Sequence, residues 1–146
     1  MKKVGIYSKG KTSIEAILHA IHKNPSIRKA GAIACFVGIV RGISSDGRKV
    51  WGLSFESYRK KAVESLQKIR DEMISRDGII DVFIHHNIGL LEVGEEIVYV
   101  VVVGRSRKEV FPTLIETVEK VKKGAPIFKK EILSDGSSYW VSEKHH

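Results

Sequence analysis

GIYSKGKT, Gly5 to Thr12, meets every fixed position of the pattern G-x-x-x-x-G-K-S/T. In a Walker A loop with that pattern, backbone amides wrap a nucleotide's phosphates and the lysine reaches the outer ones. Such a loop joins a buried strand to a helix in a parallel α/β sheet, so the pattern carries a definite architecture with it. Here only Lys2, Lys3 and Val4 separate Met1 from the first glycine, with Ile6 and Tyr7 inside the stretch. That is poor material for a buried strand. A magnesium-linked aspartate is equally hard to find. Asp81 follows only Ile79 and Ile80, and the apolar run Ile97 to Val103 meets Gly104 with no aspartate. A short strand, a glycine turn and a capped helix account for Gly10, Thr12 and Glu15 without a nucleotide. The pattern lacks the context that gives it meaning. A P-loop nucleotide-binding module remains only as an alternative.

Reading outward, Thr12-Ser13-Ile14-Glu15 has the T-x-x-E form of a capping box. Ile14, Ile17, Leu18 and Ile21 then recur at helical spacing, which predicts a helix stopped near Asn24-Pro25. Ala30 to Val40 is apolar and partly β-branched, a buried strand, and the SSDG stretch at 44–47 supplies turn chemistry. Trp51, Leu53 and Phe55 alternate, which predicts a half-buried strand ending near Tyr58. Ala62, Leu66, Ile69 and Met73 mark one helix stripe closed by Gly78. Ile79 to His86 and Glu96 to Val103 read as strands. Val110, Leu114, Ile115, Val118 and Val121 form the stripe of a last helix, stopped by Gly124 and Pro126. Ile127 to Leu133 and Ser138 to Ser142 make a hairpin across SDGS. Strands and helices mix without strict alternation, so the predicted class is α+β, with mixed or antiparallel sheets and packed helices.

The chain has 146 residues, enough for one domain, with 42% apolar and 29% charged residues. No run approaches the roughly 20 apolar residues of a membrane span, and no leader pattern opens the chain, so a cytoplasmic location is expected. Cys35 is the only cysteine, which excludes an internal disulfide and a thiolate metal cage. Its place in an apolar strand predicts core packing. The formal charge of +8 calls for an acidic ligand or partner. The cations come in dispersed pairs without zinc-finger spacing or an aromatic RNA signature, so a basic nucleic-acid-binding protein is a second alternative. His85-His86 and His145-His146 are adjacent pairs. Neighbours on a strand face opposite ways and no third ligand has suitable spacing, which argues against a metal.

Several blocks occur together and in order: GAIACFVGIVRG (31–42), LSFESY (53–58), HNIGLLEVGEEIVYV (86–100), KKGAPIFKKE (122–131) and YWV (139–141). With them the chain resembles the catalytic (large) subunit family of molybdopterin synthase over about four fifths of its length, residues 31–144. Residues 1–30 would be that family's variable amino-terminal strand and helix, all within a single domain, 1–146. The resemblance implies an α/β-hammerhead type of α+β fold. It also implies a sulfur transfer in molybdenum cofactor biosynthesis. Cyclic pyranopterin monophosphate (precursor Z) becomes molybdopterin, and the sulfur arrives as a thiocarboxylate on the Gly-Gly terminus of a small ubiquitin-like subunit. Neither a metal nor another cofactor is implied for that step. The assembly implied is a homodimer flanked by two small subunits.

By match to the family, Lys122 and Lys129 would be the catalytic lysines. Arg41, Arg107, Lys144 and Phe36 would bind or line the substrate, with Lys144 supplied across the dimer interface. The chemistry suits these residues, because a phosphorylated substrate and an anionic thiocarboxylate meet only in a cationic site. From the residues alone, Lys122 and Lys123 also fit a helix carboxyl terminus, and Lys129-Lys130 a solvated strand face. The chain departs from the family at Ser106, where a histidine is usual before Arg107, and at Asn87, where an arginine is common. Arg105 competes with Arg107 as the equivalent arginine, and spacing back from Phe111 selects Arg107.

Overall fold

The computed structural model describes residues 1–141. Seven strands and three α-helices follow the order β1 (Val4–Ser8), α1 (Ile14–Lys23), β2 (Ala32–Ile39), β3 (Val50–Ser57), α2 (Arg59–Ile74), β4 (Ile79–Glu92), β5 (Glu96–Gly104), α3 (Arg107–Gly124), β6 (Ile127–Leu133) and β7 (Ser138–Val141). A 3₁₀ turn, Pro25–Lys29, follows α1. The strands run in the order β2-β5-β4-β3-β6-β7, all antiparallel, and β1 joins β4 in parallel. This is the predicted α+β class. None of the described helices is long and apolar enough to cross a membrane.

The valine run of β5 is explained by burial on both faces. Val98, Val100 and Val102 pack with Ala62, Leu66 and Met73 of α2 and Val110 of α3, while Tyr99, Val101 and Val103 pack with Ile17 and Ile21 of α1. Alternation at period two therefore yields a continuous apolar string, because each face has its own helix cover. The stripes expected for α1 and α2 pack as read. In α3 the buried stripe is Val110, Thr113, Thr117 and Val121, and Ile115 is 66% exposed. The threonines tolerate burial because Thr117 donates to the Thr113 carbonyl at 2.6 Å and Arg76 donates to the Thr113 hydroxyl. Trp51 is 46% exposed, since a register irregularity between Val50 and Gly52 breaks the expected alternation.

β4 is longer than its apolar half suggests. Its first part pairs with β5, and from Gly89 onward it pairs with β3. Gly89 has φ +93°, a conformation open to glycine at little cost, and it lets one strand serve both parts of the sheet. Gly31 answers a different demand. A Cβ there would lie 2.1 Å from the backbone oxygen of Arg105, where the start of β2 meets the end of β5.

The opening stretch is not a phosphate loop. Ser13, not Thr12, caps α1 by accepting the Ala16 amide at 3.1 Å. Thr12 is buried, with its hydroxyl 2.6 Å from His85 Nδ1. His85 Nε2 lies 2.8 Å from the Lys2 carbonyl, which can only accept, so Nε2 carries the proton and Thr12 donates to Nδ1. A threonine committed in this way has no hydroxyl to offer a nucleotide-bound metal. Asp81 is likewise structural: it pairs with Lys3 at 2.6 Å and Arg70 at 2.9 Å, tying β1 and α2 to β4.

Candidate active site

A cavity of about 890 Å³ opens where both parts of the sheet meet the end of α3. Strands from the two ends of the sheet order, β2 and β7, both line it, so the sheet curls around the space. Four of the residues singled out in the sequence converge there: Phe36, Arg41, Lys122 and Lys129. They come from β2, the loop after it, the last turn of α3 and β6.

The chain reversal that joins the two lysines has a local cause. Ala125 precedes Pro126, and a residue before proline is driven out of the helical region; its φ, ψ of −80°, 134° end α3 there. β6 then returns along β3, with Lys129 opposite Phe55. Ile127, Lys129 and Glu131 line the cavity at strand spacing, while Phe128 is exposed and Lys130 lies over the Trp140 ring, 5.0 Å from its centre. Lys122 stands 5.9 Å over the Phe36 ring, within range of a cation–π contact. Its neighbour Lys123 pairs outward with Glu119 at 3.8 Å. Each lysine pair is thus divided, one member toward the cavity and one away. The helix carboxyl terminus alone does not account for Lys122.

Arg48 and His86 also line the cavity. Arg48 holds Asp46 at 2.9 Å and lies 5.1 Å from the centre of the Tyr139 ring. His86 is 6% exposed and meets Phe55 edge-on, ring centres 5.3 Å apart. Burial, with the nearby charge of Lys129, pushes His86 down to about 4, against a hydrogen bond to the Asn87 carbonyl that favours the charged ring. Strand parity was the available signal for His86, because it shares the face of Val82 and Ile84 whereas His85 turns to Thr12. Arg48 sits in a turn, where no periodicity marks it.

A model of the family described as "MoaE protein" matches residues 7–124. The chain belongs to the MoaE family. It is 38% identical over 121 residues to the molybdopterin synthase catalytic subunit of Pyrococcus abyssi, covering 83% of this chain and 80% of that one. It is 36% identical over 133 residues to the probable molybdopterin synthase of Haloferax volcanii, covering 90% of this chain. The chain spans about half of that longer relative, 51%. Its fold matches the crystal structure of molybdopterin synthase from Staphylococcus aureus with a TM-score of 0.84 at 29% identity, over 97% of this chain and 98% of the other.

Arg107, also expected of a MoaE-family site, lies elsewhere. Arg107 is exposed at the amino end of α3, outside this chain's cavity. Lys144 lies outside the described residues. Arg105 is occupied by Glu109 at 2.8 Å and Asp77 at 3.3 Å, which sets it apart from Arg107. Ser106, in the place of the family's usual histidine, caps α3 by accepting the Lys108 amide at 3.3 Å, and its hydroxyl donates to Glu109. Asn87 donates to the Glu96 carbonyl at 3.0 Å. Cys35 is exposed on β2, which is an edge strand among the described residues. It does not pack in the core.

Proposed function

We propose that this chain carries the sulfur-inserting step of molybdenum cofactor biosynthesis, turning cyclic pyranopterin monophosphate into molybdopterin. The observation that carries this reading is the convergence of Arg41, Lys122 and Lys129 in one cavity of about 890 Å³ in a MoaE-family chain. The volume is within the roughly 300–1,000 Å³ usual for small-molecule sites. The arginine fork suits phosphate oxygens. The two lysines place positive charge where a thiocarboxylate on the small ubiquitin-like subunit approaches and where negative charge develops during its attack. Phe36 supplies an apolar wall and holds the Lys122 ammonium near its ring.

The working assembly in this reading is a cytoplasmic homodimer flanked by two small subunits, each chain being one domain with a variable segment at 1–30 and the functional core at 31–144. Arg107 is too far along α3 to reach the cavity of its own chain, so it acts on the substrate held by the second copy, as does Lys144. The decisive experiment mixes the protein with precursor Z and a thiocarboxylated small subunit and assays the dithiolene product. Dithiolene formed in proportion to the thiocarboxylate consumed is the expected result. Substrate that returns unchanged overturns the reading.

A further inference from the structure

Among the described residues that line the cavity, His86 is the one imidazole. Arg41, Arg48, Lys122 and Lys129 are charged donors and accept nothing. The two carboxylates that line the space are already engaged: Asp46 by Arg48 and Ser44, Glu131 by the hydroxyl of Tyr139. The His86 ring lies 2.7 Å through Nδ1 from the carbonyl of Asn87. A carbonyl cannot donate, so Nδ1 holds the proton and Nε2 keeps its lone pair. Among the described residues no hydrogen bond takes Nε2.

We propose that His86 is a substrate-binding, specificity-determining residue, whose Nε2 accepts a hydrogen bond from an N–H or O–H of the bound pterin. The inference rests on the proposed function and adds to it the group that reads the uncharged part of the substrate. A cavity lined by four cations attracts any polyanion of suitable size. Positive charge alone does not separate a pyranopterin phosphate from another organic phosphate. An acceptor fixed in one tautomer by the backbone does, because a ligand with no donor at that point leaves the ring unpaired. Burial and Lys129 keep the ring neutral at pH 7, so it remains an acceptor beside the cations. The Phe55 ring and the strand backbone hold it in place without competing for Nε2.

The test compares wild type, His86→Leu and His86→Gln in calorimetric titrations with precursor Z and with inorganic pyrophosphate. His86→Leu removes the acceptor, and precursor Z should bind about tenfold more weakly, the scale of one neutral hydrogen bond and the donor left unpaired. His86→Gln returns a carbonyl oxygen near the Nε2 position and should recover most of that loss. Pyrophosphate, which reports only the cations, should bind all three alike. The wild-type protein gives a readout that does not depend on how the variants fold. With nitrogen-labelled histidine, the His86 Nε2 resonance should move upfield on saturation with precursor Z and stay in place with pyrophosphate. An unmoved resonance at saturation overturns the inference, as does equal affinity of wild type and His86→Leu for precursor Z. Wild type that binds pyrophosphate but not precursor Z overturns the functional reading, and this inference with it.

Discussion

Arg107 and Lys122 stand at opposite ends of one helix, α3, separated by roughly 22 Å at 1.5 Å of rise per residue. One substrate molecule in one chain's cavity cannot touch both. If both serve the same reaction, a second copy brings the arginine. Mixed dimers of Arg107→Ala and Lys122→Ala chains should therefore regain about one working site. That site pairs the Arg107→Ala chain's own lysine with its partner's arginine. The check is dithiolene formation by heterodimers isolated with two affinity tags. Activity no higher than in either mutant homodimer would remove Arg107 from the shared site.

The division of the lysine pairs makes a sharper forecast. Lys122→Ala and Lys129→Ala should each lower single-turnover product formation by on the order of a hundredfold, the loss typical of an electrostatic catalyst. Lys123→Ala and Lys130→Ala should stay within a few-fold, because one pairs outward with Glu119 and the other covers Trp140. Folding and small-subunit binding are confirmed first for all four. Equal modest losses would mean a diffuse basic surface rather than a site.

Lys11 tests the opening stretch. It is exposed beside a threonine already bound to His85. Lys11→Ala should leave turnover within a few-fold of wild type, and equilibrium dialysis should find no ATP or GTP bound at millimolar concentration in either protein. Micromolar affinity that disappears with Lys11 would restore the phosphate-loop reading.

The acid side of the stability profile follows from His86. Its folded value is about 4, below the ordinary 6.5, so the unfolded chain takes up the proton first as pH falls. The stabilisation is complete above about pH 6.5 and is lost progressively as pH drops toward 4. The total is on the order of 3 kcal/mol, at about 1.36 kcal/mol per unit. His85 is also shifted downward, chiefly by burial, and adds in the same sense. Urea unfolding at pH 7, 5.5 and 4.5 should show a shallower acid loss for His86→Gln than for wild type. Parallel curves would mean that the ring is not held neutral by the fold.

Asp81 is the structural counterpart. Removing it in Asp81→Ala leaves Arg70, largely buried, without its carboxylate, though the guanidinium still donates to the Val82 carbonyl at 2.7 Å. The expected cost is about 3–5 kcal/mol, the usual penalty for breaking a buried pair from one side. It should be read as a lower urea midpoint at unchanged slope. An unchanged midpoint would mean that the pair contributes nothing to holding β1 and α2 on β4.

Much of this protein is written in local spacing. The α2 stripe of Ala62, Leu66, Ile69 and Met73, the apolar string of β5 and the stop at Pro126 follow from periodicity and backbone sterics, which act between near neighbours in the chain. Other features belong to contacts between residues distant in sequence. Ile115 and Cys35 fit apolar patterns yet lie exposed, because burial depends on whether another element covers that side. Thr113 and Thr117 lie in the α3 core because partners exist there for their hydroxyls. Thr12 fits a capping box, but His85, 73 positions further on, takes its hydroxyl. The family's spacing singled out Lys122 and Lys129, whereas His86 joins them only when β4, β6 and α3 meet around one cavity. Period and chain stiffness are properties of the sequence itself. The covering of a face and the filling of a cavity are decided by long-range packing.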